Sequence, residues 1–192
     1  MAARLSAFVL QIVTSREDSN FRLKRSGVLL PTASDFDPYG GGIDAYHAWK
    51  HFGGLSISQA FDLFTTNPLY YQEDFMFMGS KAFKYYLPVI DRYLHEISGD
   101  EESDGCEAAI LGSGVVNQFG WEDSALSGTT VAEIEQLSTF VLANLARYSP
   151  EHDEQQRIAI EWKLVNEEII KFRNRSGQNA GADGPKEGRR SA

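Results

Sequence analysis

The strongest constraint on the fold lies in the last third of the chain, where two long amphipathic patterns follow one another with a very short connection. In both patterns apolar residues recur at steps of three and four, the spacing that places side chains on one face of an α-helix. The first pattern comprises Val131, Ile134, Leu137, Val141, Leu145 and Tyr148, and the second comprises Ile158, Trp162, Val165, Ile169 and Phe172. Two such helices predict an antiparallel helical hairpin.

The ends of these two helices have sequence signals of their own. Thr130 and Glu133 have the spacing of a capping box, which satisfies backbone N–H groups where a helix begins. Ser149 followed by Pro150 predicts the end of one helix and the start of the next, because proline is favoured at the first helical position. From Arg175 onward glycine, polar and charged residues replace the apolar pattern. We therefore expect residues 175–192 to be a disordered tail.

Three shorter helices are predicted upstream of the hairpin. They are Ile43–Phe52, ended by Gly53 and Gly54; a helix capped by Ser58 that runs to about Phe64; and a helix capped by Ser80, in which Pro88 introduces a kink or begins a new turn. Serine caps and glycine stops of this kind are common at helix ends. The sequence thus predicts an all-α fold, with a single helical domain over residues 31–174.

Residues 1–30 are predicted to be an N-terminal extension whose nature is open. The apolar run at 5–13 is a weak match to a secretory signal, and Gln11 interrupts it. A packed terminal strand or helix, or an early start codon, are the alternatives, and residues 21–30 suit a short β-hairpin with the first run. We expect a cytoplasmic protein, with export through the weak signal as the alternative.

Composition excludes several classes of protein. Of the 192 residues, 42% are hydrophobic, which suffices for a buried core, and the single cysteine excludes an intrachain disulfide scaffold and a multi-cysteine zinc site. A net charge of −9 disfavours binding to nucleic acid, whose phosphates need neutralising. The apolar runs fall far short of the roughly 18–20 residues that cross a membrane.

The acidic surplus is concentrated near the middle of the chain. Asp100, Glu101, Glu102 and Asp104 lie among serine and glycine in a stretch without lysine or arginine, a composition typical of an exposed loop. Complementary charge accelerates association and selects partners. We therefore predict a protein-binding module, immunity- or inhibitor-like, which neutralises a basic protein through these residues. A solvated loop without a partner is the alternative, and the oligomeric state is left open.

A second hypothesis arises from histidines in the helix predicted over Ile43–Phe52. His47 and His51 are four residues apart and Asp44 lies one turn earlier. An alternative interpretation is that these three residues together bind a metal ion. The glutamate that directly follows the first histidine of a zincin helix is absent. Aromatic residues surround the pair, and two histidines at the edge of an aromatic helix are the simpler interpretation. We predict neither a metal nor a cofactor.

The segment 67–88 is unusually rich in tyrosine, phenylalanine and methionine. This composition mostly indicates residues of the hydrophobic core, but tyrosine hydroxyls that are buried need hydrogen-bond partners. Tyr70, Tyr71, Tyr85, Glu73 and Asp74 are accordingly the residues of a candidate pocket. The alternative function is a metal-dependent or pocket-based enzyme that uses His47, His51, Glu73 and Asp74, but the sequence assigns no catalytic residue and favours a non-enzyme.

Two further segments carry recognisable patterns. Gly112-Ser113-Gly114 lacks the G-x-S-x-G spacing of a hydrolase nucleophile, and we expect its glycines to let another element approach closely. Residues 73–78 leading into Ala82-Phe-Lys-Tyr-Tyr-Leu-Pro88 resemble a segment of small bacterial proteins in a family of unknown function. That resemblance implies a bacterial soluble protein and transfers no catalytic residue.

Overall fold

The computed structural model describes residues 29–97, 105–121 and 126–181. The chain divides into two units, Met1–Leu30 and Pro31–Ala192, and the described helices belong to the second. The N-terminal run at 5–13 and the acidic residues Asp100, Glu101, Glu102 and Asp104 lie outside the described residues.

The described part of the second unit consists of helices and contains no strand, which confirms the predicted all-α fold. The helices are α1 (Ala33–Phe36), α2 (Ile43–Phe52), α3 (Ile57–Phe64), α4 (Pro68–Tyr71), α5 (Asp74–Phe77), α6 (Ser80–Glu96), α7 (Cys106–Gln118), α8 (Gly128–Ala143) and α9 (His152–Gly181), with a 3₁₀ turn at Leu145–Arg147 between the last two.

Helix α6 contacts other helices, most extensively α3 and α1, and also α7 and α8. Phe83, Tyr86, Ile90 and Leu94 are fully buried along it, at the three- and four-residue spacing of a helix face. Pro88 lies inside this helix on its exposed side. The position is tolerable because the carbonyl that loses its backbone N–H partner there can be hydrated instead.

Helices α7 and α9 approach each other closely because Gly112 has no side chain. A Cβ at Gly112 would lie 3.0 Å from Nε1 of Trp162, and that indole nitrogen donates a 2.8 Å hydrogen bond to the Ala108 carbonyl. Gly114 lies beside the backbone of Met76, but a Cβ there would be at an ordinary contact distance of 3.5 Å. The expectation that these glycines permit close approach is therefore confirmed for Gly112, whereas the space at Gly114 would admit a Cβ.

The antiparallel pairing of α8 and α9 is as predicted, but α8 ends at Ala143, so Leu145 lies in the 3₁₀ turn and Tyr148 follows it instead of continuing the helix. Ile158, Trp162, Val165 and Ile169 are buried along α9, which packs on both α7 and α8. The two helices of the hairpin run antiparallel, since Glu135 meets Arg173 whereas Ser138, one turn later in α8, meets Trp162, which is earlier in α9. The Ser138 hydroxyl donates to the Trp162 carbonyl across the same interface. A few turns of apolar spacing were thus sufficient to identify this element.

Two predicted helix starts are displaced, one by two residues and the other by three. Ser56, not Ser58, caps α3 by accepting from the Gln59 amide, and Ser127, not Thr130, caps α8 by accepting from the Thr130 amide. An N-cap residue must have extended backbone, as Ser56 and Ser127 have, while its side chain reaches two or three residues ahead. Ser58 and Thr130 already lie within the first turns of their helices.

Two other boundaries also differ from the prediction. Ser80 is the first residue of α6 rather than its cap, and Gly79 occupies the capping position. Helix α9 begins at His152, after Pro150, and continues to Gly181, so residues 175–181 are helical rather than part of a tail. Once a helix is nucleated, each further residue adds a backbone hydrogen bond at little extra cost. Residues 182–192 lie outside the described residues.

Candidate functional site

The C-terminal end of α2 brings a histidine against a buried carboxylate. Nδ1 of His51 lies 2.7 Å from Oδ2 of Asp74, the first residue of α5, and their side chains are only 22% and 11% exposed. When Asp74 is ionised, Nδ1–H is the donor of this hydrogen bond. Neutral His51 then has its free lone pair on Nε2, which makes that atom available to accept a proton.

Tyrosines from α4 enclose the His51 ring. The Tyr71 ring meets it edge to face at 5.2 Å between centroids, and the Tyr70 hydroxyl lies 3.5 Å from Nε2. Tyr71 also packs against the buried Phe52, which anchors this wall to the core. The imidazole is thereby fixed in orientation from both ends, with the more exposed Tyr70 on its solvent side.

The electrostatics of this pair are governed by Asp74. Burial raises the pKa of Asp74 above its usual value, while the hydrogen bond from His51 and the charges of His51 and His47 act in the opposite direction. A partly desolvated carboxylate next to an imidazole is an arrangement found at many functional sites. The pair is therefore the most distinctive group of titratable residues predicted from the sequence.

The alternative metal ligands do not form a site. His47 and Asp44 are exposed on α2, and the rings of His47 and His51 are 6.3 Å apart between centroids. Within the residues that the structure describes, no three His, Cys, Asp or Glu side chains are grouped so that they could hold a metal ion. His51 is turned toward Asp74 instead, because burial of that carboxylate requires a hydrogen-bond donor.

The candidate pocket residues are only partly brought together. Tyr70, Tyr71 and Asp74 meet at His51, but Glu73 is exposed to solvent. Tyr85 packs edge to face on Tyr86 in α6; burial raises its pKa, and a hydrogen bond to the Ile57 backbone opposes that effect. Its hydroxyl is therefore directed to the start of α3 rather than to His51.

Sequence reasoning missed an acidic groove between α6 and α8. This cavity of about 210 Å³ has Leu87, Pro88 and Leu137 as its apolar lining, and Asp91, Glu133 and Gln136 as its polar lining. One feature of the sequence points to this groove. Pro88 and Asp91 are three residues apart and so share one exposed face of α6, and Glu133 and Gln136 share one exposed face of α8 in the same way. Recognising it also requires knowing that these two faces are adjacent.

The two carboxylates of this groove differ from others on the same helices. Glu133 is exposed and has no ion-pair partner among the described residues, whereas Glu135 on α8 is held by both terminal nitrogens of Arg173 at 2.7 Å. Asp91 lies 3.6 Å from Nδ1 of His95 and pairs with no arginine or lysine in the described part of the chain. The groove is thus bordered by two carboxylates that no lysine or arginine of residues 29–97, 105–121 and 126–181 compensates.

No helix in the described part of the chain is both long enough and apolar enough to cross a membrane. Comparison with protein-family models, with curated proteins and with solved structures finds no match to this chain.

Proposed function

We propose that this protein is a protein-binding module, immunity- or inhibitor-like, which neutralises a basic partner through the groove between α6 and α8. The observation that carries the proposal is the position of Asp91 and Glu133 beside an apolar surface that includes Pro88. A lysine or arginine side chain combines an apolar stem with a cationic end. Its stem would pack on the groove while its charge met the two carboxylates.

The charge of the whole chain supports the same partner class. A net charge of −9 attracts a basic protein over long distances and raises the rate of encounter. The acidic residues Asp100, Glu101, Glu102 and Asp104 follow α6 closely in sequence. We propose them as additional contacts for the same partner.

Site-directed photo-crosslinking in the native host tests where the partner binds. A photo-reactive amino acid replaces Gln136 in the groove, and in a matched control it replaces Gln156, which is exposed on α9. We expect a basic protein to be crosslinked at position 136 and not at 156. Crosslinking of the same proteins at both positions, or of acidic proteins at 136, would contradict the proposal.

Charge removal then tests the mechanism with the captured partner in pure form. Asp91→Asn with Glu133→Gln removes two charges from the groove, whereas Glu96→Gln with Glu135→Gln removes two charges from the same helices outside it. We expect the first pair to slow association about tenfold at low salt and the second pair to have a much smaller effect. Equal effects would mean that only total charge matters and that the groove is not the contact.

A second candidate function is an enzyme that uses His51 as a general base. It is favoured by the 2.7 Å contact between His51 and Asp74, which would hold the imidazole with Nε2 free to accept a proton. Hydrolysis of p-nitrophenyl acetate provides a simple test. A rate that falls to background in His51→Gln but not in His47→Gln would support this function, and equal rates in both variants would exclude it for ester substrates.

A further inference from the structure

A separate cavity lies between α1, the start of α6 and the residues that follow α7. It has a volume of about 210 Å³, and its lining combines aromatic, hydroxyl and charged side chains from Ser34, Asp35, Pro38, Tyr39, Ser80, Lys81 and Trp121. Drug-sized ligands usually occupy cavities of about 300–1,000 Å³. The volume therefore suits a smaller molecule.

One end of this cavity is an uncapped helix start. The backbone N–H groups of Ser80, Lys81 and Ala82 have no acceptor among the described residues, and Gly79 at the capping position has no side chain to supply one. The amides at a helix N-terminus attract carboxylate and phosphate groups through their N–H dipoles. The Lys81 side chain adds a positive charge at the same end.

The Ser80 hydroxyl provides an independent indication of a ligand. Ser80 is only 6% exposed and lines the cavity, yet its hydroxyl has no hydrogen-bond partner within the described part of the chain. The residue as a whole is buried, but its hydroxyl oxygen opens onto the cavity, where it can hydrogen-bond to a molecule that enters. A ligand oxygen in the cavity would satisfy this hydroxyl together with the adjacent amides.

The carboxylate of Asp35 favours a ligand that also carries a positive charge. Asp35 lines the same cavity and lies 3.7 Å from Lys81. Hydrogen bonds from the Thr32 backbone and side chain lower the pKa of Asp35, so that it is ionised near neutral pH. A purely anionic ligand would be repelled by this carboxylate, whereas an ammonium group would pair with it.

An aromatic wall completes the lining. The rings of Tyr39 and Trp121 are stacked, with centroids 5.5 Å apart and planes only 4° from parallel. Such faces accept apolar side chains and also attract ammonium groups. The wall therefore suits an apolar substituent next to a cationic centre.

We propose that this cavity binds a free α-amino acid with an apolar side chain. The ligand carboxylate lies at the α6 N-terminus and accepts from Ser80, its ammonium group pairs with Asp35, and its side chain lies against Tyr39 and Trp121. Each group of the ligand thus has its own partner in the cavity: the helix N-terminus, the Asp35 carboxylate and the aromatic wall. This site is distinct from the α6–α8 groove and does not depend on the proposed function.

Calorimetric titration of the full chain with L-phenylalanine and L-leucine tests the proposal. Two blocked compounds serve as controls: N-acetyl-L-phenylalanine lacks the ammonium group, and L-phenylalaninamide lacks the carboxylate. We expect at least one amino acid to bind and both blocked compounds to bind tenfold or more weakly. Failure of both amino acids to bind, or equal binding of either blocked compound, would overturn the proposal. So would tighter binding of inorganic phosphate, which would identify a simple anion site.

Variants then locate the binding site. We expect Ser80→Ala to weaken binding about tenfold and Trp121→Ala to abolish it, while Lys84→Met, an exposed change on the same helix outside the lining, leaves binding unchanged. Circular dichroism and thermal unfolding of each variant distinguish lost binding from lost folding. Unchanged affinity in well-folded Ser80→Ala and Trp121→Ala would place the ligand elsewhere and overturn the assignment.

Discussion

Nδ1 of His51 and Oδ2 of Asp74 lie 2.7 Å apart, although the two residues belong to different helices and are separated by 23 positions in the chain. The contact joins the last turn of α2 to the first turn of α5 and brings Asp74 out of solvent. Because this carboxylate is buried, its ionisation is coupled to folding. The pair is therefore a structural link as well as a candidate site.

Asp74→Asn should make the folded protein less sensitive to pH in the acidic range. Burial raises the pKa of Asp74 above 3.8, so the folded chain binds this proton more tightly than the unfolded chain. The contribution of Asp74 to stability therefore falls as the pH rises through the window between its pKa in the unfolded chain and its higher pKa in the folded chain. The free energy of unfolding of Asp74→Asn relative to wild type should therefore increase across the window. The expected increase is about 1.4 kcal/mol for each pH unit of its width.

Chemical denaturation at a series of pH values between about 3 and 7 measures this difference. Glu73→Gln is the matched control, because it removes the neighbouring carboxylate at an exposed position. Its stability relative to wild type should change little with pH over the same range. A pH-independent difference for Asp74→Asn, or one that decreases with rising pH, would show that burial does not dominate this carboxyl group.

The contrast between Glu73 and Asp74 also shows where sequence reasoning reaches its limit. The two carboxylates are adjacent and chemically alike, but one is exposed and the other is 8% exposed. Burial of Asp74 depends on how α5 packs against α2, which local spacing does not specify. By contrast, the C-terminal end of α2 was predictable, because Gly53 and Gly54 interrupt a helical pattern regardless of what packs on it.

The acidic groove could not be predicted for the same reason. Its carboxylates, Asp91 and Glu133, are far apart in sequence and each is an ordinary exposed residue of its own helix. The buried face of α9 could be predicted, because its apolar residues recur at regular spacing along a single helix. Properties of one helix can thus be predicted from the sequence, whereas sites between helices require the tertiary structure.

Alanine at Gly112 and at Gly114 should have opposite effects on stability. At Gly112 a Cβ would lie 3.0 Å from Nε1 of Trp162, which is fully buried and hydrogen-bonded and so has no room to move. We expect Gly112→Ala to destabilise the fold by about 1–3 kcal/mol. At Gly114 the nearest atom is at an ordinary contact distance of 3.5 Å, so the helix preference for alanine should add up to about 1 kcal/mol.

Thermal and urea unfolding of the two variants, compared with wild type, measures both changes. The two substitutions are chemically identical and lie on one helix, so each serves as the control for the other. Equal effects of the same sign would show that the close contact between Gly112 and Trp162 does not limit packing.

Tyr86→Phe should loosen the connection between α2 and α3. The Tyr86 hydroxyl is directed at two backbone carbonyls, at 2.6 Å from that of Phe52 and 2.9 Å from that of Leu55, and thereby holds the turn that joins these helices. Burial raises the pKa of Tyr86 well above its usual value, so the hydroxyl remains a donor at all physiological pH values. We expect a loss of about 1–3 kcal/mol in stability.

Hydrogen exchange should locate this effect, with faster exchange of the amides between Gly53 and Leu55 in Tyr86→Phe. Tyr148→Phe, which removes a buried hydroxyl that donates to the Leu94 carbonyl, should leave those amides unchanged. Faster exchange confined to other helices would mean that the Tyr86 hydroxyl does not hold the turn.

Gly79→Ala should disrupt the start of α6 and with it the proposed amino-acid cavity. A Cβ at Gly79 would lie 2.5 Å from the Asp35 carbonyl oxygen and 2.8 Å from Cδ of Pro38, distances that require α1 to move away. That movement would also break the 2.8 Å hydrogen bond from the Gly79 amide to the Phe36 carbonyl. Overpacking of this kind typically costs about 1–3 kcal/mol, occasionally more.

We expect Gly79→Ala to lower the unfolding midpoint and to abolish amino-acid binding together, because Asp35 and Ser80 lie on the two elements that would separate. Gly54→Ala is an informative comparison, since Gly54 has a φ of 78° and nothing within 4 Å of a Cβ. Its alanine variant should lose stability through backbone strain and still bind the ligand. Retention of full stability in Gly79→Ala would show that α1 and α6 are not in close contact at this glycine.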